Sequence, residues 1–160
     1  MTPLLQLVTR HDDFLVVDKP AGLVCHPTKG DETSSLIGRV RLFLGHAEGR
    51  LVNRLDRETS GLVVVATTAE AAGALGKLFS GHAVRKSYVA IVHGHPSWDS
   101  RVIEAPIGPA TGSAVAIKAG VVEVGAPALT EVVVVSRFER EGRPFAYVRV
   151  LPQTGRKHQI

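Results

Sequence analysis

Short runs of β-branched and aromatic residues, each closed by glycine, proline or a polar cluster, recur along the whole chain and dictate a fold built mainly of strands. "LLQLV" and "FLVVD" flank "TRHDD" and predict a hairpin, whose second strand runs into a "KPAG" turn punctuated by Pro20 and Gly22. Further strands are expected at "RKSYVAIVHG", "SRVIEAPI", "LTEVVVVSRFE" and "FAYVRVL", the last two joined through "REGRP". Two helices fit between them. Leu36, Ile37, Val40, Phe43 and Leu44 recur at helical spacing, with Ser34 or Ser35 available as a cap. In "TTAEAAGALGKLFSG", Thr67 and Glu70 have capping-box spacing and Gly81 can end the helix, although Gly73 and Gly76 weaken it. "GPATGSA" reads as a loop. The expected fold class is α+β, a mixed and largely antiparallel sheet with helices packed on one side.

A chain of 160 residues that is 44% hydrophobic can build one sizeable core, so a single domain over 1–160 is expected. Nineteen Lys and Arg against fifteen Asp and Glu leave a charge of +4, which suits a nucleic-acid partner and equally an ordinary basic enzyme. A lone cysteine, Cys25, excludes an internal disulfide framework and fits a reducing compartment. The N-terminal apolar stretch has no basic flank and is too short for a signal peptide or membrane span. The protein is therefore expected in the cytoplasm, without membrane association and as a monomer.

The stretch "RLDRETSGLVVVA" sets charged residues directly against a buried-strand pattern. If "LVNRLD" is a strand, Val52, Arg54 and Asp56 project from one face, and "RETSG" turns the chain into a second strand. A charged cluster anchored on both sides by core strands makes a rigid site. The same residues would also serve as a surface ion pair at a hairpin bend. In "LPQTGRKHQI", a strand ends at Pro152 and Gly155 permits a turn before a segment expected to open a helix. Backbone amides there, with Arg156 and Lys157, could hold an anion, or could be an ordinary solvated helix start. In "RKSYVAIVHG", Lys86, Tyr88, Ala90 and Val92 share a strand face, on which Tyr88 could equally be a packing residue.

Together "RLDRETSGLVVVA", "KSYVAIVHG" and "LPQTGRKHQI", in that order and preceded by "FLVVDKPAGLVCHP", resemble the signature blocks of the RluA-type pseudouridine synthases. The resemblance covers nearly the whole chain. It implies that Asp56 matches the catalytic aspartate, and that Arg54 matches the arginine that enters the RNA to hold the target nucleotide out of its stack. Tyr88 matches the tyrosine that stacks on the target base, and Arg156 the arginine that pairs with the aspartate. Ile160 falls at an apolar position beside the pocket, and Thr59, Ser60 and Gly61 in the active-site turn. Lys86, Arg85 and Lys157 are candidates for phosphate contacts. Two departures stand out. Asn53 replaces the histidine of the family's usual His-Arg-Leu-Asp, where an effect on support rather than on chemistry is expected. The family also continues beyond Ile160 with an arginine and further strands and helices, so the chain is expected to be a fragment lacking its C-terminal strands.

The implied reaction breaks the C1′–N1 bond of a uridine in transfer RNA or large ribosomal RNA, turns the uracil and rejoins C1′ to C5. It needs a carboxylate that stays ionised in a partly dry pocket, which a paired arginine provides. It also needs an aromatic ring to keep the freed base captive, worth about 1–3 kcal/mol of stacking. The residues leave open addition to the base, attack on the sugar carbon and removal of the C2′ proton; the family resemblance favours the last, a glycal route. The alternatives are a catalytically silent RNA-binding domain and an enzyme of free nucleosides or other glycosides. The latter would want two carboxylates, for which Glu58 is the nearby second. His93 and His95 have no partners at structural-zinc spacing, and the glycines form no phosphate-binding pattern. No metal and no nucleotide cofactor are expected.

Overall fold

The computed structural model describes residues 4–27, 32–110 and 119–160. The chain divides into two compact units, Met1–Ala83 and Val84–Ile160. Each carries its own four-stranded antiparallel sheet, and the second also carries a two-stranded ribbon. The α+β class holds, with the strands distributed over three sheets instead of one.

In the first unit β1 (Gln6–Arg10), β2 (Phe14–Lys19), β3 (Arg50–Leu51) and β4 (Gly61–Ala66) are ordered β1-β2-β4-β3. The expected β1–β2 hairpin forms, with an irregularity between Leu7 and Thr9. Strict alternation along β2 sends Leu15, Val17 and Lys19 to the interior, all at 0% exposure, facing a core that Val63 and Val65 of β4 complete. Full burial of each such apolar side chain is worth about 1.5–3 kcal/mol. Helix α1 (Leu36–Leu44) is capped by Ser35, whose hydroxyl accepts from the Gly38 amide at 3.2 Å, a bond worth about 1 kcal/mol. Leu36, Ile37 and Val40 form its buried stripe, whereas Phe43, expected to share it, is exposed. Gly45 ends the helix at φ +76°, where a side chain would be strained.

Helix α2 (Ala69–Ser80) begins one residue later than its capping-box reading. Thr68 is the cap, accepting from the Ala71 amide at 3.2 Å, because Thr67 is engaged elsewhere. The Thr67 hydroxyl donates to the Asp12 carbonyl and its amide to the Asp13 carbonyl, tying the end of β4 to the β1–β2 turn. Gly81 closes the helix as expected.

The second unit contains β5 (Tyr88–His93), β6 (Ser100–Glu104), β7 (Ile107–Pro109), β8 (Ala119–Val121), β9 (Leu129–Arg140) and β10 (Arg143–Pro152). The main sheet runs β5-β10-β9-β6, and β7 pairs with β8. Of the loop expected at "GPATGSA", Gly108 and Pro109 belong to β7, and the part from residue 111 lies outside the described residues. The β9–β10 hairpin turns through Glu141 and Gly142, both at positive φ (54° and 68°), the geometry of a type I′ turn. Ala146, Val148 and Val150 of β10 are buried beneath Tyr88, Ala90, Val92, Val132 and Val134. Among the described residues no helix is long and apolar enough to cross a membrane.

Candidate active site

The charged turn of the first unit is not the end of a strand. β3 stops at Leu51, so "LVNRLD" does not continue as the ladder its alternation suggested. One further backbone bond, Val52 amide to Val64 carbonyl at 2.9 Å, is made before a side chain takes over. The Asn53 carboxamide accepts from the Val64 amide at 2.7 Å and donates to the Leu62 carbonyl at 3.3 Å, filling the place of a strand partner for β4. The alternation survives in exposure alone: Arg54 and Asp56 face solvent and Leu55 is buried between them. Asp56 then opens a turn in which the Thr59 amide donates to its carbonyl at 3.1 Å, and Ser60 and Gly61, the latter at φ +127°, lead into β4. Ser60 is exposed and Thr59 half-buried. Arg57 and Glu58 make an exposed ion pair at 3.6 Å, worth well under about 1 kcal/mol.

What holds this turn comes from the "KPAGLVC" segment, which belongs to the first of the blocks that carry the family resemblance but to which no site residue was assigned. The Gly22 amide donates to the Arg57 carbonyl at 2.8 Å, and Arg57 Nε returns a bond to the Gly22 carbonyl at 3.2 Å. Lys19, with no exposed surface, directs its ammonium at the carbonyls of Pro20, Leu23 and Arg57. Burial pulls its pKa below the ordinary 10.5, opposed by Cys25 and then by the carboxylates of Glu58 and Asp56. Cys25 is buried, and its sulfur bonds both polar atoms of the Leu55 backbone. It is therefore a packing and bonding residue, with no access for a nucleophilic role.

The second unit holds Lys86, Tyr88, Arg156 and Ile160. Tyr88 opens β5 opposite Val150 and is half-buried over the Ala146–Val148–Val150 cluster, on the same face as Ala90 and Val92. Lys86 precedes the strand; burial lowers its pKa, and its ammonium donates to the Thr154 carbonyl at 2.9 Å. The bond ties the start of β5 to the turn that carries Arg156. Among the described residues "TGRKHQI" forms no helix. The Gln159 side chain folds back instead, its oxygen accepting from the Thr154 hydroxyl and the Arg156 amide, both at 2.8 Å. Its nitrogen donates to Leu129 and Thr130, and His158 sits at φ +55°. With its amide consumed in this way, Arg156 offers an anion its guanidinium only. Nε is fixed on the Pro127 carbonyl at 2.9 Å, and the terminal nitrogens take no hydrogen bond among the described residues. Ile160 is exposed.

Arg54, Asp56, Thr59 and Ser60 are thus gathered on one braced turn of the first unit, and Lys86, Tyr88 and Arg156 around one tied turn of the second. His93 packs at a tilt against Phe145 and His95 bonds the Phe138 carbonyl, and the described residues contain no group of three metal-ligating side chains.

The fold is that of the pseudouridylate synthase domains. It superposes with a TM-score of 0.81 on human RNA pseudouridylate synthase domain containing 1, at 30% identity over 99% of this chain and 65% of the human one. The family model for RNA pseudouridylate synthases matches residues 13–160, and the chain belongs to that family. It is 36% identical over 98% of its length to the ribosomal large subunit pseudouridine synthase D of Neisseria meningitidis serogroup B, covering 41% of that protein. It is also 36% identical to the dual-specificity RNA pseudouridine synthase RluA of Escherichia coli, covering 99% of this chain and 70% of that one. The chain spans less than half the length of the Zymomonas mobilis, Neisseria meningitidis and Pseudomonas aeruginosa relatives that it matches.

Proposed function

We propose that this chain carries catalytic residues of an RNA pseudouridine synthase that isomerises a uridine of large ribosomal RNA. Asp56 supplies the reacting carboxylate, Arg156 a guanidinium that can pair with an anion, and Tyr88 the ring on which the freed uracil rests while it turns. Arg54 occupies the space that the extruded nucleotide leaves, and Thr59 and Ser60 line the turn. The C1′–N1 bond breaks and the C1′–C5 bond forms; C5 gives up a proton and N1 gains one, so no co-reactant is consumed and no cofactor is required. The choice of large ribosomal RNA rests on the names of the relatives, several of which are ribosomal large subunit enzymes.

The observation that carries the reading is the bracing of the Asp56 turn. An exposed carboxylate lies between two backbone positions, Leu55 and Arg57, that are each fixed by buried groups. An ordinary surface loop has no need of such fixing, whereas a reacting group does, because small misplacements cost large factors in rate. The test is pseudouridine mapping by chemical labelling of total RNA from cells with and without the full-length gene, with wild-type and Asp56→Asn add-backs. A site that vanishes on deletion and returns only with the wild type is the expected result. A site that Asp56→Asn restores equally well would remove Asp56 from the chemistry and favour a silent RNA-binding domain.

A further inference from the structure

We infer that Lys19 and Cys25 are positioning residues for Asp56: one buried ammonium and one buried thiol lock the backbone on either side of it without touching the carboxylate. The inference rests on Asp56 being the reacting group and adds what sets its place.

Lys19 lies on the interior face of β2 with Leu15 and Val17, at 0% exposure. An ammonium has three N–H donors and no acceptor, and here it meets carbonyl oxygens of Leu23 at 2.7 Å, Pro20 at 3.0 Å and Arg57 at 3.1 Å. Two of these belong to the 20–23 turn and the third to the residue after Asp56, so one cation joins the two loops. The Arg57 carbonyl receives the Gly22 amide as well. Burying a lysine costs desolvation and side-chain entropy together, and the site offsets this by satisfying every donor.

Cys25 does the corresponding work on the other side. Its sulfur donates to the Leu55 carbonyl at 3.3 Å and accepts from the Leu55 amide at 3.4 Å, at 5% exposure. A single side chain thereby replaces the two bonds a neighbouring strand would give Leu55. Of the small side chains, only one that both donates and accepts can do this. Serine qualifies and valine, of similar bulk to cysteine, does not. With Leu55 and Arg57 both held, the backbone from which the Asp56 side chain projects has little freedom to shift.

The test uses the full-length protein with Cys25→Ser, Cys25→Val and Lys19→Met. Two quantities are read: amide hydrogen exchange over 55–59, and single-turnover pseudouridine formation on large-subunit ribosomal RNA from cells lacking the gene, with RNA affinity measured alongside. In Cys25→Val, exchange at the Leu55 amide is expected to rise at least about tenfold and the single-turnover rate to fall about 10- to 100-fold, with RNA affinity within about twofold of wild type. Cys25→Ser is expected to recover most of both losses. Lys19→Met should act in the same direction at Arg57, and if it fails to fold the Cys25 pair still decides. Wild-type exchange and rate in Cys25→Val would overturn the inference, as would a rate loss that follows lost RNA affinity. If the wild type itself forms no pseudouridine on that RNA and the wild-type add-back restores no site in cells, the functional reading falls. The exchange data alone then say whether Lys19 and Cys25 hold the turn.

Discussion

Asn53 stands in for a strand. Its carboxamide meets the amide of Val64 and the carbonyl of Leu62, the two backbone groups that β4 exposes once β3 has ended. Asn53→Leu would leave a half-buried amide without an acceptor, and a stability loss of about 1–3 kcal/mol is expected from the urea midpoint. Asn53→His should recover much of it, because a neutral imidazole keeps one acceptor and one donor. This residue was legible as a departure from the motif, and its supporting role was the expected one. Lys19 was not read, and Cys25 was read only as a lone cysteine with no part in the site. Their partners are backbone carbonyls and an amide, which leave no side-chain signature in a sequence. The one available hint was that Lys19 falls in phase with Leu15 and Val17, on a strand face whose other members are apolar.

At the scale of elements, the strands with β-branched runs and the β9–β10 hairpin were legible because period-2 alternation and turn residues agree there. The extension of β3 and the helix at "TGRKHQI" were not, since Asn53, Cys25 and Gln159 side chains replace the backbone bonds that those elements would have made. In the hairpin turn Glu141 adopts φ +54°, a conformation that costs most side chains energy and Asn less. Glu141→Asn is therefore expected to raise stability by up to about 1 kcal/mol, read from the thermal midpoint. Lys86 gives the strand β5 a pH signature. Burial lowers its pKa in the folded protein, so between that lowered value and 10.5 the unfolded chain binds a proton that the folded one does not. Stability from this residue is lowest below its folded pKa and rises with pH across that window. The advantage of wild type over Lys86→Met should accordingly widen as urea midpoints are taken from neutral pH towards 10.5. A constant gap would mean that the Lys86 ammonium is not desolvated.

For the molecule as a whole, the proposed function implies an RNA partner whose approach the charge of +4 would favour, and at Arg54 charge can be separated from shape. Each phosphate neutralised releases counterions, so affinity for large-subunit ribosomal RNA should fall as salt rises, with a log–log slope of nearly one per phosphate contact. Arg54 is exposed and takes no hydrogen bond or ion pair from the described residues, so its guanidinium is available to RNA. Removing its charge in Arg54→Ala should reduce that slope by about one. Arg54→Lys keeps the charge but loses the flat guanidinium, which can stack in the gap left by an extruded base as an ammonium cannot. Salt titrations of RNA binding should therefore give Arg54→Lys the wild-type slope, while its single-turnover rate of pseudouridine formation falls. If Arg54→Lys matches the wild type in both slope and rate, Arg54 contributes only charge, and the space left by the extruded nucleotide is filled by another side chain.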